Sequence, residues 1–595
     1  MINLKPSIKE LKLMANKLRI HSIKETTASN SGHPTSCMSC ADILSPLFFS
    51  EFEKNDEFIL SKGHAVPILW AVYAEAGLIK EKELLNLRKI DSVLEGHPTK
   101  RMPMIKIATG SLGQGLSSGV GMALAKKLKK DDGIVYVLQG DGESAEGSVW
   151  EAANTASYYK LNNLCLIIDV NRLGQSQETM HNHKVNSYKK KLKAFGWDVI
   201  TINGHNIKQV ITALKTAKNS KKPFAIIAKT KKGKGVKQVE NKQGFHGKPF
   251  NKEDAEKAIL EIGETDIKLK SELTFQKRTL PQINNVQLNK YKLGEKIATR
   301  AAFGRALLKI GKNNKSVVAI DGDVRNSTMT NYFFDKFQDR SFESFIAEQN
   351  MVGMAMGLSS QGLIPFASTF ATFFTRAHDF IRMAQYSNVD INLVGSHIGV
   401  SIGPDGPSQM GLEDISMFIS IPDSVVLCPS DGVSAEKLTL EMAKNPGINY
   451  MRTLREKTPT IYNNNESFKF GGLKVLKKSN KDKVLVIGYG VTVHESLKAH
   501  EELQKQNINI RVIDLYSIKP IDETTLIKNA KECNNKVILV EDHYEGGAST
   551  LVTKAIGKIH HLYIKSTPRS GAPEELRKMF KIDANAIINE VKSIK

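Results

Sequence analysis

The sequence predicts an α/β protein built from three doubly wound series of strands and helices. Short, β-branched apolar runs at 134–138, 164–169, 317–320 and 484–487 alternate with stretches of helical periodicity. A polar stretch without clear periodicity, from about 265 to 290, separates the first series from the second and reads as a linker. The 595 residues are enough for three or four domains with substantial cores.

The first series opens with an amphipathic helix over 7–23. Ser31-Gly32-His33-Pro34 is a polar turn before an apolar helix carrying Cys37 and Cys40. No second cysteine pair or histidine cluster completes a zinc site, so these two read as small packed residues. Ser61-Lys62-Gly63-His64 opens a further helix, and Glu95-Gly96-His97-Pro98 is another polar turn. His33, His64 and His97 thus stand at element junctions, not on apolar faces. Gly110-Ser111-Leu112-Gly113-Gln114-Gly115 then enters a small-residue helix over 116–125. Its glycine spacing misses the dinucleotide fingerprint by one place and no strand leads into it, which excludes that reading. A glycine-lined helix start able to touch a cofactor remains.

The strand 134–138 leads to Gly140-Asp141-Gly142, and the strand 164–169 to Asn171-Arg172-Leu173. An acid and an amide therefore stand just past the carboxyl ends of two strands joined by a helix, where open parallel sheets bind ligands. Both offer oxygen, which suits a hard cation such as Mg²⁺ shared with phosphate oxygens. Taken alone, the stretch equally fits two ordinary strand-end loops. A strand at 223–228 feeds Lys229-Thr230-Lys231-Lys232-Gly233-Lys234-Gly235, a basic, glycine-punctuated loop suited to an anion. His246 follows in another loop.

In the second series a strand at 317–320 ends at Asp321-Gly322-Asp323, with Asn326-Ser327-Thr328 beyond it. Ala347-Glu348-Gln349-Asn350 precedes a small-residue helix over 351–358. The run Phe370-Ala371-Thr372-Phe373-Phe374 is predicted to start a helix with its three phenylalanines on one face, a stripe that core packing explains. Another strand ends at His397, and Gly403 to Gln409 must be loop. The third series has strands at 484–487, 510–513 and 537–540. Gly488-Tyr489-Gly490 lacks the third glycine of a nucleotide fingerprint and has nothing catalytic around it, which marks a structural segment with an interface role.

The formal charge of +22 favours anionic ligands. The lysines are spread along the chain with no RNA- or DNA-reading module among them, so no specific nucleic-acid binding is expected. No apolar run reaches membrane-spanning length, so no membrane association is expected, and residues 1–5 lead into a charged helix rather than a signal peptide. Residues 593–595 are not a peroxisomal ending. A cytoplasmic protein is expected.

Together these motifs resemble transketolase across essentially the whole chain. Asp141 thirty residues before Asn171 is a thiamine diphosphate signature shared with pyruvate dehydrogenase-type enzymes and deoxyxylulose phosphate synthases. Ser31-Gly32-His33-Pro34, Ser61-Lys62-Gly63-His64, Gly110 to Gly115, Ile346-Ala347-Glu348-Gln349-Asn350 and Asp405-Gly406-Pro407-Ser408-Gln409 are much narrower. Asn171-Arg172-Leu173-Gly174-Gln175 and the modest length resemble the shorter, animal-like branch, while the loop around 52–57 looks trimmed.

The resemblance implies a diphosphate-binding domain over 1–265, a linker over 266–290, a pyrimidine-binding domain over 291–460 and a C-terminal domain over 461–595. It implies a homodimer, with thiamine diphosphate between the first domain of one subunit and the second domain of its partner. Asp141, Asn171 and the Leu173 carbonyl would hold Mg²⁺ or Ca²⁺. Glu348 would contact the aminopyrimidine ring, with Phe373 and Phe370 packing on it. Ser36, His64, Gly110, Ser111, Leu112, Gly142, Lys232, His246 and Gln409 match further cofactor contacts. His33, His97 and His246 would surround the reacting carbons. Arg300, Ser327, His397 and Arg455 match the substrate-phosphate site, and Asp405 the position that reads a sugar hydroxyl. The implied activity is transfer of a two-carbon unit between sugar phosphates. The rival readings are a catalytically altered or regulatory homologue and the pyruvate-decarboxylating deoxyxylulose phosphate synthase.

Overall fold

The computed structural model describes residues 5–263, 265–275 and 278–594. The readings placed on residues 1–4 and 595 lie outside the described residues, as do single positions of the first segment and the linker. The chain folds as two compact units. One holds residues up to 279 together with 356–361 and 386–389, and the other holds the remainder.

The first unit begins with the helix Ile8–Ala28, which ends five residues beyond the end its periodicity predicts. Ser7 and Glu10 close its start with a capping box. The extra turn is polar in sequence, and only Glu25 and Thr26 of it are buried, Thr26 Oγ1 donating to the Ser22 carbonyl at 2.6 Å. Cys37 and Cys40 lie buried, with no disulfide between them, on the helix Pro34–Pro46, as packed small residues should.

Five parallel strands form this unit's sheet in the order Glu57–Leu60, Val135–Gly140, Leu164–Val170, Phe224–Lys229, Asp198–Asn203. Parallel pairing requires crossover connections, and the central strand is buried at every residue. Gly140 pairs with Asp169, and Asp169 with Ala228. The loops at Asp141, Asn171 and Thr230 therefore leave one edge of the sheet together.

The second unit contains a seven-stranded sheet ordered Ser517–Lys519, Ser424–Leu427, Ile448–Thr453, Ile391–Ser396, Ile364–Phe370, Val317–Asp321, Ser341–Glu343. All its pairings are parallel except that of Ser517–Lys519. This edge strand comes from the third series, and three residues are too few to show a period. Ser396 pairs with both Phe370 and Thr453, which sends the chain at Phe370, His397 and Arg455 off the same edge. A further sheet orders Lys474–Lys477, Ile510–Asp514, Val484–Gly488, Val537–Val540 and His560–Leu562, the first antiparallel to its neighbour. Among the described residues no helix is long and apolar enough to cross a membrane.

The predicted helix at Phe370 is corrected. Phe370 ends a strand, and Ala371–Ala377 is a 3₁₀ turn. With three residues per turn, Phe370 and Phe373 eclipse one another and Phe374 points elsewhere. Phe370 and Phe373 stack at 5.0 Å, whereas Phe374 is fully buried against Phe418 and Tyr450.

Candidate active site

In the first unit a cleft of about 400 Å³ is lined by His33, Ser36, His64, His97, Gly110, Leu112, Asp141, Gly142, Asn171, Leu173, Lys232 and His246. Ser111 lies between two of these on the same loop. The sequence-derived candidates of this unit therefore converge, although they span more than two hundred residues.

Asp141 follows its strand directly and is buried. Its Oδ1 accepts from Gly142 N at 2.9 Å, and its Oδ2 from Arg172 N at 2.7 Å and Thr179 Oγ1 at 3.1 Å. These donors are neutral, and among the described residues Asp141 forms no ion pair. Burial, and then the neighbouring Asp169 charge, push its carboxyl up to about 6. Asn171 Oδ1 faces Leu173 N at 3.2 Å, and the Leu173 carbonyl accepts from Lys232 Nζ at 2.8 Å. Carboxylate, amide and carbonyl oxygens form a hard donor set, and the uncompensated acid leaves room for a divalent cation. Among the described residues one group of conventional ligand types lies close together, His21, Glu75 and Glu81. There Lys17 already pairs Glu75 at 2.9 Å, and Lys24 and Lys82 line the adjoining pocket, surroundings that disfavour another cation.

Three imidazoles form a triangle above this clamp. His33, His64 and His246 have ring centroids 5.0–5.2 Å apart. Burial, followed by nearby positive charge, lowers His33 to about 4 and His246 to about 3, and holds His64 well below its usual range. His97 is lowered the same way. Neutral rings result, able both to donate and to accept. Lys232 Nζ donates to His246 Nδ1 at 2.5 Å, and burial brings its ammonium down to about 8. Ser36 Oγ and His33 Nδ1 are buried without partners, two polar atoms that a bound ligand would satisfy. Gly110, at φ +131°, would place a Cβ 2.7 Å from His97 Cδ2, so only glycine lets this loop and histidine approach.

The sequence reading missed the support beneath the cleft. Lys62 Nζ donates to Asp169 Oδ2, which also accepts from Ser39 Oγ at 2.6 Å and Asn171 Nδ2 at 3.1 Å. Thr230 Oγ1 donates to the other Asp169 oxygen. Glu143 accepts from Ser61 Oγ, from Gly113 N at 2.9 Å and from Gly140 N at 3.1 Å. Both acids join loops distant in sequence. Their only sequence signal is a charged residue at or near a buried strand end, and Lys62 sits inside a motif already singled out.

The second unit holds the other candidates. Glu348 starts the helix Glu348–Ser360 and is buried, with Oε2 lacking a hydrogen-bond partner and Arg376 Nε 4.0 Å away. His397 stacks on Phe370 at 3.9 Å, and Phe370 on Phe373. His397 Nδ1 meets Ser396 Oγ at 2.8 Å, while Arg300 Nη1 lies 3.3 Å from its Nε2 and donates to the Ser327 carbonyl at 2.8 Å. Among the described residues Arg300 has no carboxylate partner, and its Nε is buried unpaired. Burial and then Arg455 lower its guanidinium, and burial with both arginines holds His397 near 3. Arg455 Nη1 donates to the Ile402 carbonyl at 3.1 Å and reaches Asp405 at 3.4 Å. Gln409 is half-buried in the turn Pro407–Gln409 of the same loop. A pair of guanidiniums with spare N–H groups beside a neutral imidazole suits a phosphate.

The fold and the first cleft define a class: α/β enzymes that hold an anionic ligand at the carboxyl edge of a parallel sheet. Comparison with known proteins narrows it. The family described as "Transketolase, thiamine diphosphate binding domain" matches residues 10–280, "Transketolase, pyrimidine binding domain" 295–460, and "Transketolase, C-terminal domain" 473–587. Transketolase of Homo sapiens is 49% identical over 610 aligned positions, covering 99% of this chain and 98% of that one. Transketolase of Mus musculus is 48% identical at the same coverage. The crystal structure of transketolase from Campylobacter jejuni superimposes with a TM-score of 0.88 at 25% identity, covering 99% of this chain and 100% of that one. The chain belongs to the transketolase family. Its activity is that of a transketolase, a transferase that uses thiamine diphosphate, and the pyruvate-decarboxylating alternative is not favoured.

Proposed function

We propose that this enzyme reversibly transfers a two-carbon ketol unit from xylulose 5-phosphate, fructose 6-phosphate or sedoheptulose 7-phosphate to ribose 5-phosphate, erythrose 4-phosphate or glyceraldehyde 3-phosphate. It does so as a cytoplasmic homodimer with active sites at the subunit interface, in the non-oxidative pentose phosphate pathway. The division into 1–265, 266–290, 291–460 and 461–595 belongs to the same reading. The observation that carries it is the half-buried Arg300 beside Arg455 and His397, a cationic recess without an internal carboxylate for Arg300 among the described residues. Such a recess selects a phosphorylated sugar over a neutral one.

Bound thiamine diphosphate supplies an electron sink for the two-carbon unit. Asp141, Asn171 and the Leu173 carbonyl would hold Mg²⁺ or Ca²⁺, which would neutralise the diphosphate, with Lys232 adding charge and Gly142 allowing close approach. Ser36, His64, Gly110, Ser111, Leu112 and Gln409 complete the cofactor's seat, and Phe370 and Phe373 form an apolar wall for its pyrimidine. Glu348 would offer its carboxyl to the aminopyrimidine ring and hold a proton there. His33, His97 and His246, held neutral, donate to the sugar carbonyl oxygen and accept from its hydroxyl. Asp405 reads the adjacent hydroxyl, while Arg300, Ser327, His397 and Arg455 hold the phosphate.

A coupled assay for glyceraldehyde 3-phosphate, starting from xylulose 5-phosphate and ribose 5-phosphate, tests this directly. Product should form only when thiamine diphosphate and a divalent cation are present. Formation of deoxyxylulose phosphate from pyruvate instead would overturn the substrate assignment.

A further inference from the structure

The loop from His397 to Gly411 carries His397, Asp405, Gln409 and the Ile402 carbonyl that accepts from Arg455. Its backbone runs through conformations that L-residues avoid, with φ of +60° at His397, +59° at Gly399, +65° at Gly403 and +89° at Gly406. Glycine takes such angles freely, so the strain falls on His397, and an outlier of that kind persists only where its surroundings over-determine it. The loop's own bonds close its base, Gly399 N to the Gly411 carbonyl at 2.8 Å and Gly411 N to the His397 carbonyl at 3.2 Å, and make short local turns at Ser401, Gly406, Gln409 and Met410.

Arg455 and Arg452 hold the Ile402 and Gly411 carbonyls, and further constraint comes from the C-terminal part of the chain. Asp542 Oδ1 accepts from Val400 N at 2.9 Å, and Gly399 lies so close that a Cβ there would stand 1.9 Å from Asp542 Oδ2. A Cβ on Gly403 would lie 2.9 Å from the Gly571 carbonyl, and one on Gly406 2.7 Å from Ser570 Oγ. Tyr544 N donates to the Leu412 carbonyl at 3.3 Å. On the other flank, the buried Arg577 grips Glu456, the residue after Arg455, through two bonds of 2.7 and 3.1 Å. Asp542 and Arg577 thus bracket the loop and the arginine that face the sugar phosphate.

We propose that Asp542 and Arg577 are positioning residues for the phosphorylated end of the substrate, acting through the 397–411 loop and Glu456 on Asp405 and Arg455. The C-terminal segment thereby takes part in substrate recognition without touching substrate. This rests on the phosphate-site reading above, and its test separates the two.

Kinetics of the holoenzyme are measured with xylulose 5-phosphate plus ribose 5-phosphate, and with the unphosphorylated pair hydroxypyruvate plus glycolaldehyde. Asp542→Ala and Arg577→Met should each raise KM for ribose 5-phosphate ~10-fold while changing the unphosphorylated pair less than ~2-fold. Combined with Arg455→Ala, their further effect should shrink below ~2-fold, because all three act on one contact. Asp542→Asn, which keeps an oxygen for Val400 N, should restore most of the lost affinity, with melting temperature and thiamine diphosphate binding near those of the parent. Full additivity with Arg455→Ala, equal KM changes for both substrate pairs, or loss of fold and cofactor binding in both the Asp542 and Arg577 variants would overturn the proposal. If Arg455→Ala alone fails to distinguish the two pairs, the phosphate site itself is misassigned and the proposal falls with it.

Discussion

Lys62 Nζ stands 2.5 Å from Asp169 Oδ2, and both side chains are almost wholly withdrawn from solvent. Burial opposes both charges, yet each holds the other ionised, keeping Lys62 above and Asp169 below their ordinary ranges. Removing one member of such a pair leaves a buried, uncompensated charge and costs about 3–5 kcal/mol. Lys62→Met should therefore lower the melting temperature by several degrees and weaken cofactor binding. The double variant Lys62→Met/Asp169→Leu should recover much of the stability. Equal melting temperatures for the single variant and the parent would show that the pair contributes nothing.

The cation clamp makes a different prediction. Asp141→Ala should abolish the metal dependence of thiamine diphosphate binding, measured by titrating the cofactor with Mg²⁺ and again in chelator. A variant whose binding still falls on chelation, as the parent's should, would remove Asp141 from the clamp.

Glu348 is buried with one carboxylate oxygen that accepts no hydrogen bond, an arrangement that awaits a donor. Glu348→Ala should lower turnover ~10²–10⁴-fold, the range typical of a lost proton-handling group, while the melting temperature stays near that of the parent. Near-normal turnover at saturating cofactor would refute the assignment.

Asp321 ends the strand before the short helix Arg325–Thr328 that presents Ser327, and it accepts from Val324 N, Thr328 Oγ1 and Thr330 Oγ1 at 2.6–2.8 Å. Burial raises its carboxyl to about 7, whereas an unfolded aspartate titrates near ~4. Between those values the folded chain keeps a proton that the unfolded chain has lost, so this group's contribution to stability declines as pH rises from ~4 to ~7. Asp321→Asn should flatten the fall in melting temperature across that window. Identical slopes for variant and parent would exclude Asp321 as their source.

Much of this was legible in the sequence because the site is made of strand-end loops, and strand ends announce themselves. The buried runs before Asp141 and Asn171 had to be strands, and parallel strands deliver their loops to one edge. The motif resemblance then supplied partners that periodicity cannot, such as His33 and His246, which meet only through tertiary packing. Phe374 shows the limit. A run of aromatics cannot reveal whether its turn has three residues or 3.6, and that difference decides which ring joins Phe370 and which enters the core. Asp169, Glu143 and Asp542 escaped for another reason. Each is a single acid whose only local sign is its place at or near a strand end, and its partners come from loops far apart in sequence.

The three residues Ser517–Lys519 have a consequence for any attempt to divide this chain. They shield the edge of Ser424–Leu427, a short, largely buried, β-branched strand, and Lys519 Nζ donates to the carbonyls of Ile419 and Pro422 at 3.1 and 2.9 Å. A fragment ending at residue 460 would expose that strand's unpaired N–H and C=O groups along an apolar rim, a template for pairing with another copy of itself. Expressed alone, the pyrimidine-binding segment should aggregate through this one edge, and its solubility should return when residues 517–519 are restored to it.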